Sequence, residues 1–587
     1  MKKFTCLFTI LIATFGLQVS AQVITNQGDE ISASMPMLVK SKQTKKIDFK
    51  ELRKKASGKS GNPYKVSLEM TSNPIWFAIL ALPYIIDNQN ESTPELLNGF
   101  FANSVALYLL NKDVGLDALM VKWEHEQGLS DETKMHQKIG QMFDTVLINK
   151  RMSYEISRLE KFQQADGSWP WYSGMKGNRF ITQMICCGIG RLFDLHVYDN
   201  YSDRLNNMGI HAFKYCDDQM TQEYNRILDN KGDLKEDHLS SDILTYLYAR
   251  TFWNVPVDYM CGKALFYWQQ QAWTYWQGRS PLENAMLVPI FFRQGEDTVY
   301  IKTLQRFDKE AIHSDKEGVY WKWNTGSAAD KIATQSMILE GYSIMRFPTP
   351  DPDYIAGIKK WLLQYKQDDH WCNNTVTINA IYALLQKDND PVITDKMPQI
   401  TVGDTHFDST AGKGSGFLYH EWSGNEINRK LGEISIENKT EEYVFADVAM
   451  QYLQKPAKNK MTIDGLKINK QVFFLANSAN SSHWMPLQKT EDLKAGDSIK
   501  INIEITADKQ LDYIHIHNSF SSLTRLADTV SGVRRIDALS YARVVKDGSV
   551  ELYLEHLDPQ KYVFTYTLTV KSPGSFQKGD LVVEKVF

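Results

Sequence analysis

The chain has 587 residues, enough for roughly three or four domains at about 150 residues each. Apolar residues are 43% and charged residues 23%, which excludes a largely disordered chain, and 34 Gly with 18 Pro are too few for a fibrous or low-complexity one. With 70 acidic side chains against 66 basic ones the net charge is −4, so no overall basic field is offered to nucleic acid.

The N-terminus begins with Lys2 and Lys3, continues with an apolar run from Phe4 to Val19, and reaches a small-residue site at Ala21. This pattern reads as a secretory signal peptide, residues 1–21, cut after Ala21. The run is short and Thr-rich for a membrane span, and Cys6 lies inside it rather than at its end, which argues against a lipid anchor. No later stretch approaches ~18 uninterrupted apolar residues, so the expected product is exported, periplasmic or extracellular, without stable membrane insertion. Five cysteines remain after cleavage, none in a C-x-x-C pair, so their spacing carries no zinc or redox signature. Cys186 and Cys187 sit in an apolar helical stretch and read as buried thiols.

Residues 22–62 are polar, and Asp48 and Glu51 are the only acids between Lys40 and Lys65; the segment reads as a solvated basic linker. Val66, Leu68 and Met70 alternate with polar residues as a short strand would. From Asn73 to about Asp390 the period is helical: Leu97, Phe101, Val105 and Tyr108 share one face, as do Ile378, Ile381, Tyr382 and Leu385. A local pattern recurs here, a Gly or acid followed by Trp and then by a Thr that opens an apolar helix. It occurs as Asp166-Gly167-Ser168-Trp169 with Thr182, as Gly318 to Trp321 with Thr334, and as Asp368-Asp369-His370-Trp371 with Thr377. Repeated helix pairs, each burying one face on the next, imply a closed or stacked helical array. After about residue 395 the period switches to two, as in Ile499, Ile501, Ile503 and Ile505 or Tyr562, Phe564, Tyr566, Leu568 and Val570. Antiparallel strands with one wet face follow, arranged as a β-sandwich.

The stretch from Leu159 through Gln163, Asp166, Gly167, Trp169 and Trp171 to Arg179, Thr182 and Gln183 resembles a segment of the bacterial alpha-2-macroglobulin family, in its thioester-containing helical domain. Further resemblance lies in Asn73-Pro74-Ile75-Trp76, in Ala102-Asn103-Ser104, and near the end in Tyr513-Ile514-His515 and Tyr562 to Tyr566. It implies an α/α toroid, shaped like terpenoid cyclases and prenyltransferases, over residues 63–395. A small β region would follow at 396–455, the remainder of a CUB-like domain, and a C-terminal macroglobulin β-sandwich at 456–587. It also implies a role related to endopeptidase inhibition and a protein partner, either a protease or a separately encoded macroglobulin-like protein.

Two departures from the family pattern matter. The expected leader runs almost directly into the helical domain, leaving no room for the protease bait region that family members place upstream. The family's Cys-x-Glu-Gln thioester motif falls, in register with the flanking matches, on Ser92, Thr93, Pro94 and Glu95, so neither thiol nor amide is present. Ser-x-x-Glu before an apolar helix reads instead as a capping box, with Pro94 tolerated in the first turn. Ser92→Ala is then expected to cost about 1 kcal/mol.

Other candidate chemistry is thinner. Asp217-Asp218 and Asp368-Asp369 fall short of an aspartate-rich cyclase motif. His515 and His517 share a strand face but have no visible third metal ligand. The Trp and Tyr content suits helix packing, or the stacking of saccharide rings. No phosphate loop, nucleophile elbow or His-Glu-x-x-His is present, and nothing calls for a cofactor or a metal. The expected protein is an exported, non-catalytic macroglobulin-like interaction module. The alternatives are a toroid enzyme acting on envelope polysaccharide, which needs convergent acids or histidines on the inner helices, and a decayed macroglobulin fragment.

Overall fold

A computed structural model describes residues 22–24, 29–56, 63–87, 90–197, 201–322, 327–345, 350–367, 369–386, 391–412, 414–454, 463–478, 481–487, 492–521, 523–572, 574–575 and 579–586. The expected leader, residues 1–21, lies outside them.

Six helices close a ring by contacting one another in sequence order: Thr93–Lys112, Arg179–Asp194, Ser241–Arg250, Pro281–Gln294, Ala328–Ile344 and Asn374–Leu385, the last returning to the first. Outer helices, among them Thr145–Phe162, Ser202–Asp229, Tyr259–Thr274, Asp297–Glu310 and Pro352–Gln364, pack around this ring. The inner helices are buried over most of their surface, with polar residues such as Gln183, Gln335 and Glu340 buried among the apolar ones. The Trp repeat is the unit of this ring. Trp169, Trp321 and Trp371 each donate their indole N–H to a carbonyl near the end of the preceding outer helix: Leu159 at 2.8 Å, Phe307 at 2.8 Å and Leu362 at 2.7 Å. The backbone N–H of Trp169 and of Trp371 then bonds the hydroxyl of Thr182 or Thr377, at 2.9 and 3.0 Å, and so ties the loop to the next inner helix. Gly167 and Gly318 hold φ near +90°, and a Cβ there would meet the carbonyl oxygen of His211 or Gly357 at 2.1 or 2.3 Å; only glycine fits.

The basic linker expected at residues 22–62 is not one. Asp29–Val39 and Thr44–Asp48 are strands, each at the edge of a four-stranded antiparallel sheet completed by residues 399–454. Pro63–Thr71, expected to open the toroid, lies inside the first of these sheets, between Val444–Gln454 and Phe417–Ser423. One β-sandwich is thus built from both sides of the toroid, which is inserted between its strands. Edge position explains the misleading composition. An edge strand tolerates Pro36, whose missing N–H costs no ladder bond, and lysines such as Lys45 and Lys46 that keep other strands from adding. This sandwich has its own core, including Met37, Leu52, Leu68, Trp422 and Val448.

The C-terminal sandwich packs a six-stranded sheet on a five-stranded one. Ser498–Ala507 and Lys561–Val570 alternate as expected, with Ile499, Ile501, Ile503, Tyr562, Phe564 and Leu568 buried. Gln22–Ile24 pairs with Leu581–Lys585 at the rim of the six-stranded sheet. The five described cysteines are free, four of them buried. No helix among the described residues is long and apolar enough to cross a membrane.

Candidate functional site

The N-terminal ends of inner helices meet the C-terminal sandwich, and the four positions Ser92 to Glu95 lie at this junction. Ser92 occupies the N-cap position of Thr93–Lys112, but its side chain makes no capping bond. Its backbone N–H goes to Asn90 Oδ1 at 2.8 Å. Glu95 does not reach back either; its carboxylate accepts from Asn374, at the start of the last inner helix. The expected capping box is therefore absent: Asn90 and Asn374 take the two ends of one of its bonds, the Ser92 N–H and the Glu95 carboxylate, and the Ser92 hydroxyl does not make the other. Thr93 is held by Trp171 and Pro170, its N–H donating to the first carbonyl at 2.9 Å and its hydroxyl to the second at 2.6 Å. Pro94 is buried in the first turn.

A cavity of about 40 Å³, room for one water, is enclosed by Ser92, Glu95, Trp171, His515, Tyr553 and Glu584, among others, and no cysteine lines it. Its roof is aromatic: Tyr553 stands edge-on to Trp171 at 5.3 Å and stacks on Tyr172 at 5.3 Å and on His515 at 4.7 Å. Tyr513 adopts a left-handed backbone, φ 56°, and its hydroxyl donates to Asn178 at 3.1 Å, at the cap of the next inner helix. Such strain is maintained only where surrounding contacts fix it.

Beneath the aromatics lies a proton-sharing cluster. His515 is 9% exposed and bonds Glu584 at 2.8 Å and Glu551 at 3.3 Å. Glu551 also takes the Tyr553 hydroxyl at 2.7 Å and ion-pairs Lys546 at 2.7 Å and His517 at 3.6 Å. Burial works against the His515 imidazolium, but the two carboxylates outweigh it and lift its pKa to about 9. Burial likewise opposes the Glu551 charge, and His515, His517 and Lys546 overcome it, holding that carboxyl far below its usual range. Desolvation pushes Glu95 up to about 7, against hydrogen bonds from Asn374 and Asn98. The strand register created this cluster: His517 faces Glu551, and His515 faces both Tyr553 and Glu584. The sequence flagged the two histidines; their acidic partners lie 34 to 69 residues away and carry no local signal. No group of three His, Cys, Asp or Glu among the described residues is placed to hold a metal ion.

The remaining motif residues are structural in their contacts. Gln163 bonds the carbonyls of Gly167 and Met208 at 3.0 and 2.8 Å, and Asp166 accepts from the backbone N–H and hydroxyl of Ser168. Arg179 pairs with Glu223 at 2.5 Å. Gln183 is fully buried, with no hydrogen-bond partner at either side-chain polar atom. Asp217 takes the Tyr246 hydroxyl at 2.6 Å and an ion pair from Arg250 at 3.2 Å. Asp369 bonds His370 at 3.0 Å, while Asp368 lies outside the described residues.

Polar residues do converge at the opposite end of the ring. Tyr248 donates to Glu340 at 2.7 Å, Arg293 bonds the same carboxylate at 3.1 Å, and Tyr382 donates to Asp194 at 2.6 Å. Arg191 bonds Tyr248 at 3.2 Å and Asn379 at 2.6 Å. Each carboxylate is thus shared between an arginine and a tyrosine, the arrangement of a buried ion network.

Residues 465–587 match the family model described as the bacterial alpha-2-macroglobulin MG10 domain. No curated protein matches by sequence. Native alpha-2-macroglobulin from Escherichia coli, spanning domain MG7 to the C-terminus, superposes with a TM-score of 0.57 at 13% identity, over 95% of this chain and 79% of that one. The E. coli protein in its native conformation gives 0.58 at 12%, and a Salmonella alpha-2-macroglobulin reacted with methylamine gives 0.52 at 12%. In both, 95% of this chain is covered and 32% of the other, so the chain spans about a third of their length. At such identity the likeness concerns the fold: a helical toroid with antiparallel β-domains, built as the C-terminal portion of those molecules.

Proposed function

From a C-terminal domain of the bacterial alpha-2-macroglobulin MG10 family, on a chain with that family's C-terminal architecture, we propose an exported, non-catalytic interaction module that binds a protein partner without acylating it. The observation that carries this reading is the junction at Ser92–Glu95. At the positions where the resemblance places the family's thiol and amide the chain has Ser92 and Glu95, and no cysteine lines the cavity around them. A serine ester would need its own activating base and would be a weaker acyl donor than a thioester. The acids at the far end of the ring are bound to arginine and tyrosine, which favours a binding role over polysaccharide cleavage by paired free carboxylates.

A Salmonella relative is described as reacted with methylamine. The corresponding experiment here is intact-mass measurement of the purified chain after methylamine treatment, with no adduct expected; a methylamide at Glu95 would sink the reading. Crosslinking in the native envelope should recover a protein partner, a protease or a macroglobulin-like chain. Incubation with several endopeptidases should leave activity on large and small substrates equally affected. Selective loss of activity on large substrates, with cleavage of this chain at one site, would instead mark a protease trap.

A further inference from the structure

The outer helix Tyr259–Thr274 packs chiefly on Ser202–Asp229 and Ser241–Arg250 and turns its far side to solvent. The solvent side of an outer helix is ordinarily polar. That of Ser202–Asp229 is largely so, with Asn206, Asn207, His211, Lys214 and Asp218 exposed. On Tyr259–Thr274 it presents Tyr259, Met260, Phe266 and Trp273 instead, 83%, 73%, 63% and 46% exposed. At roughly 200 Å² for a large side chain these offer on the order of 500 Å², the size of patch that marks an interaction surface.

Their spacing selects what covers them. Tyr259, Lys263, Phe266, Gln270 and Trp273 follow one another by four, three, four and three residues, the seam of a helix that packs along another helix. The seam encloses two four-residue holes, one among Tyr259, Gly262, Lys263 and Phe266, the other among Phe266, Gln269, Gln270 and Trp273. Gly262 floors the first, and a Cβ built there meets nothing within 4 Å, so this hole is the deeper. A glycine weakens an exposed helix interior, and here its smallness makes room for a ring. Two copies of this helix run antiparallel fill each other's holes. In one register Trp273 of each copy enters the Gly262 hole of the other, and Phe266 of each enters the second hole. The larger ring meets the deeper hole on both sides of a two-fold axis, the self-complementary contact of a closed dimer. Lys263, the one charged residue of the seam, then lies against the Trp273 ring of the other copy as a cation–π pair. It stands about 15 Å along the axis from its own counterpart, so like charges do not meet.

We propose that this stripe is the interface of a homodimer, covered by the same helix of a second copy of this chain. About 1,000 Å² in total is the low end of specific interfaces, so the dimer forms in the micromolar range. Sedimentation velocity of the purified full chain over a micromolar concentration series should show monomer passing to dimer. Trp273→Ser and Phe266→Ser should each weaken the dimer about ten-fold or more. Gly262→Leu should abolish it while the thermal midpoint holds or rises, since the monomer has room for the side chain and the helix loses a glycine. A chain that stays monomeric throughout the series, or a dimer unaffected by Gly262→Leu, would overturn the assignment. So would a monomer that binds a soluble β-1,4-linked oligosaccharide through the same rings, which would make the stripe a saccharide platform.

Discussion

The two ends of the toroid use the same helices and opposite chemistry. At the N-terminal end, aromatic rings and a titratable cluster of Glu95, His515, Glu551 and Glu584 are closed over by a second domain. At the C-terminal end, Arg191 and Arg293 are locked to Glu340, Asp194 and two tyrosines within the ring itself. Burial works against both guanidinium charges, and Tyr248, Glu340 and the other acceptors overcome it, so both arginines stay ionised at any ordinary pH. The difference predicts one end of the ring tied by a permanent ion network and another whose contact with its neighbour responds to pH.

The sharpest way to break the fixed end is Glu340→Ala. It removes the acceptor that Arg293 and the Tyr248 hydroxyl share, at a site where Glu340 is 1% exposed, leaving Arg293 with Asp194 alone as a counter-charge, and should cost about 3–5 kcal/mol by urea denaturation. A loss below about 1 kcal/mol would mean the network is wet and weak. At the other end, Trp171→Ala removes the ring that Tyr513 and Tyr553 pack on and should cost about 3 kcal/mol. Its effect should include faster hydrogen exchange in Ser549–Leu557, where the Glu340 variant should leave exchange unchanged.

The pH responses should also differ. His515 is raised from 6.5 to about 9, so the stability it gives the junction is complete below pH 6.5 and lost as pH climbs through 9. Glu95, raised from 4.5 to about 7, likewise favours the folded junction at low pH and loses that contribution as pH rises to 7. Glu551, depressed from 4.5, contributes above pH 4.5 and loses its contribution on acidification. With Lys546, His517, Tyr84 and Tyr553 as the other ionisable neighbours, the junction should be tightest near pH 5–6 and loosen toward pH 9. Hydrogen exchange across that range should rise at the junction and stay flat at the arginine end; His515→Gln should remove the part of the rise above pH 7 and leave the part that Glu95 sets below it. A junction whose exchange does not change with pH would remove the distinction. The smallest effect belongs to Ser92→Ala. Without a capping bond to lose, it should change stability by less than about 0.5 kcal/mol.

Legibility followed the range of the interactions. The Trp repeat is local, with Trp and Thr 6 to 13 residues apart, and the spacing written in the chain is the spacing of the hydrogen bonds. The C-terminal sandwich was readable because alternation at Ile499–Ile505 and Tyr562–Val570 is strict and both strands are central. The other sandwich was half missed: Asp29–Val39 finds its partner Val444–Gln454 some 400 residues away, and its alternation of Ile31, Ala33, Met35, Met37 and Val39 stands between polar stretches that set the reading of the whole segment. Ser92 and Glu95 fitted a local rule that Asn90 and Asn374 override, and Asn374 is 279 residues from Glu95. The partners of His515 were set by register, which pattern alone does not fix.

The insertion of the toroid between Pro63–Thr71 and Gln399–Val402, strands of different sheets, has a mechanical meaning. The entering and leaving chains run side by side, the Asn73 side-chain amide and the Trp76 indole donating to the carbonyls of Pro391 and Val392 at 3.0 and 3.1 Å. The helical ring therefore hangs from the sandwich by two neighbouring threads rather than one. A torque on the ring loads these hydrogen-bonded cross-links instead of twisting a single peptide link, and swivelling is resisted where bending is not. Any partner that grips the ring pulls on the sandwich at the same moment.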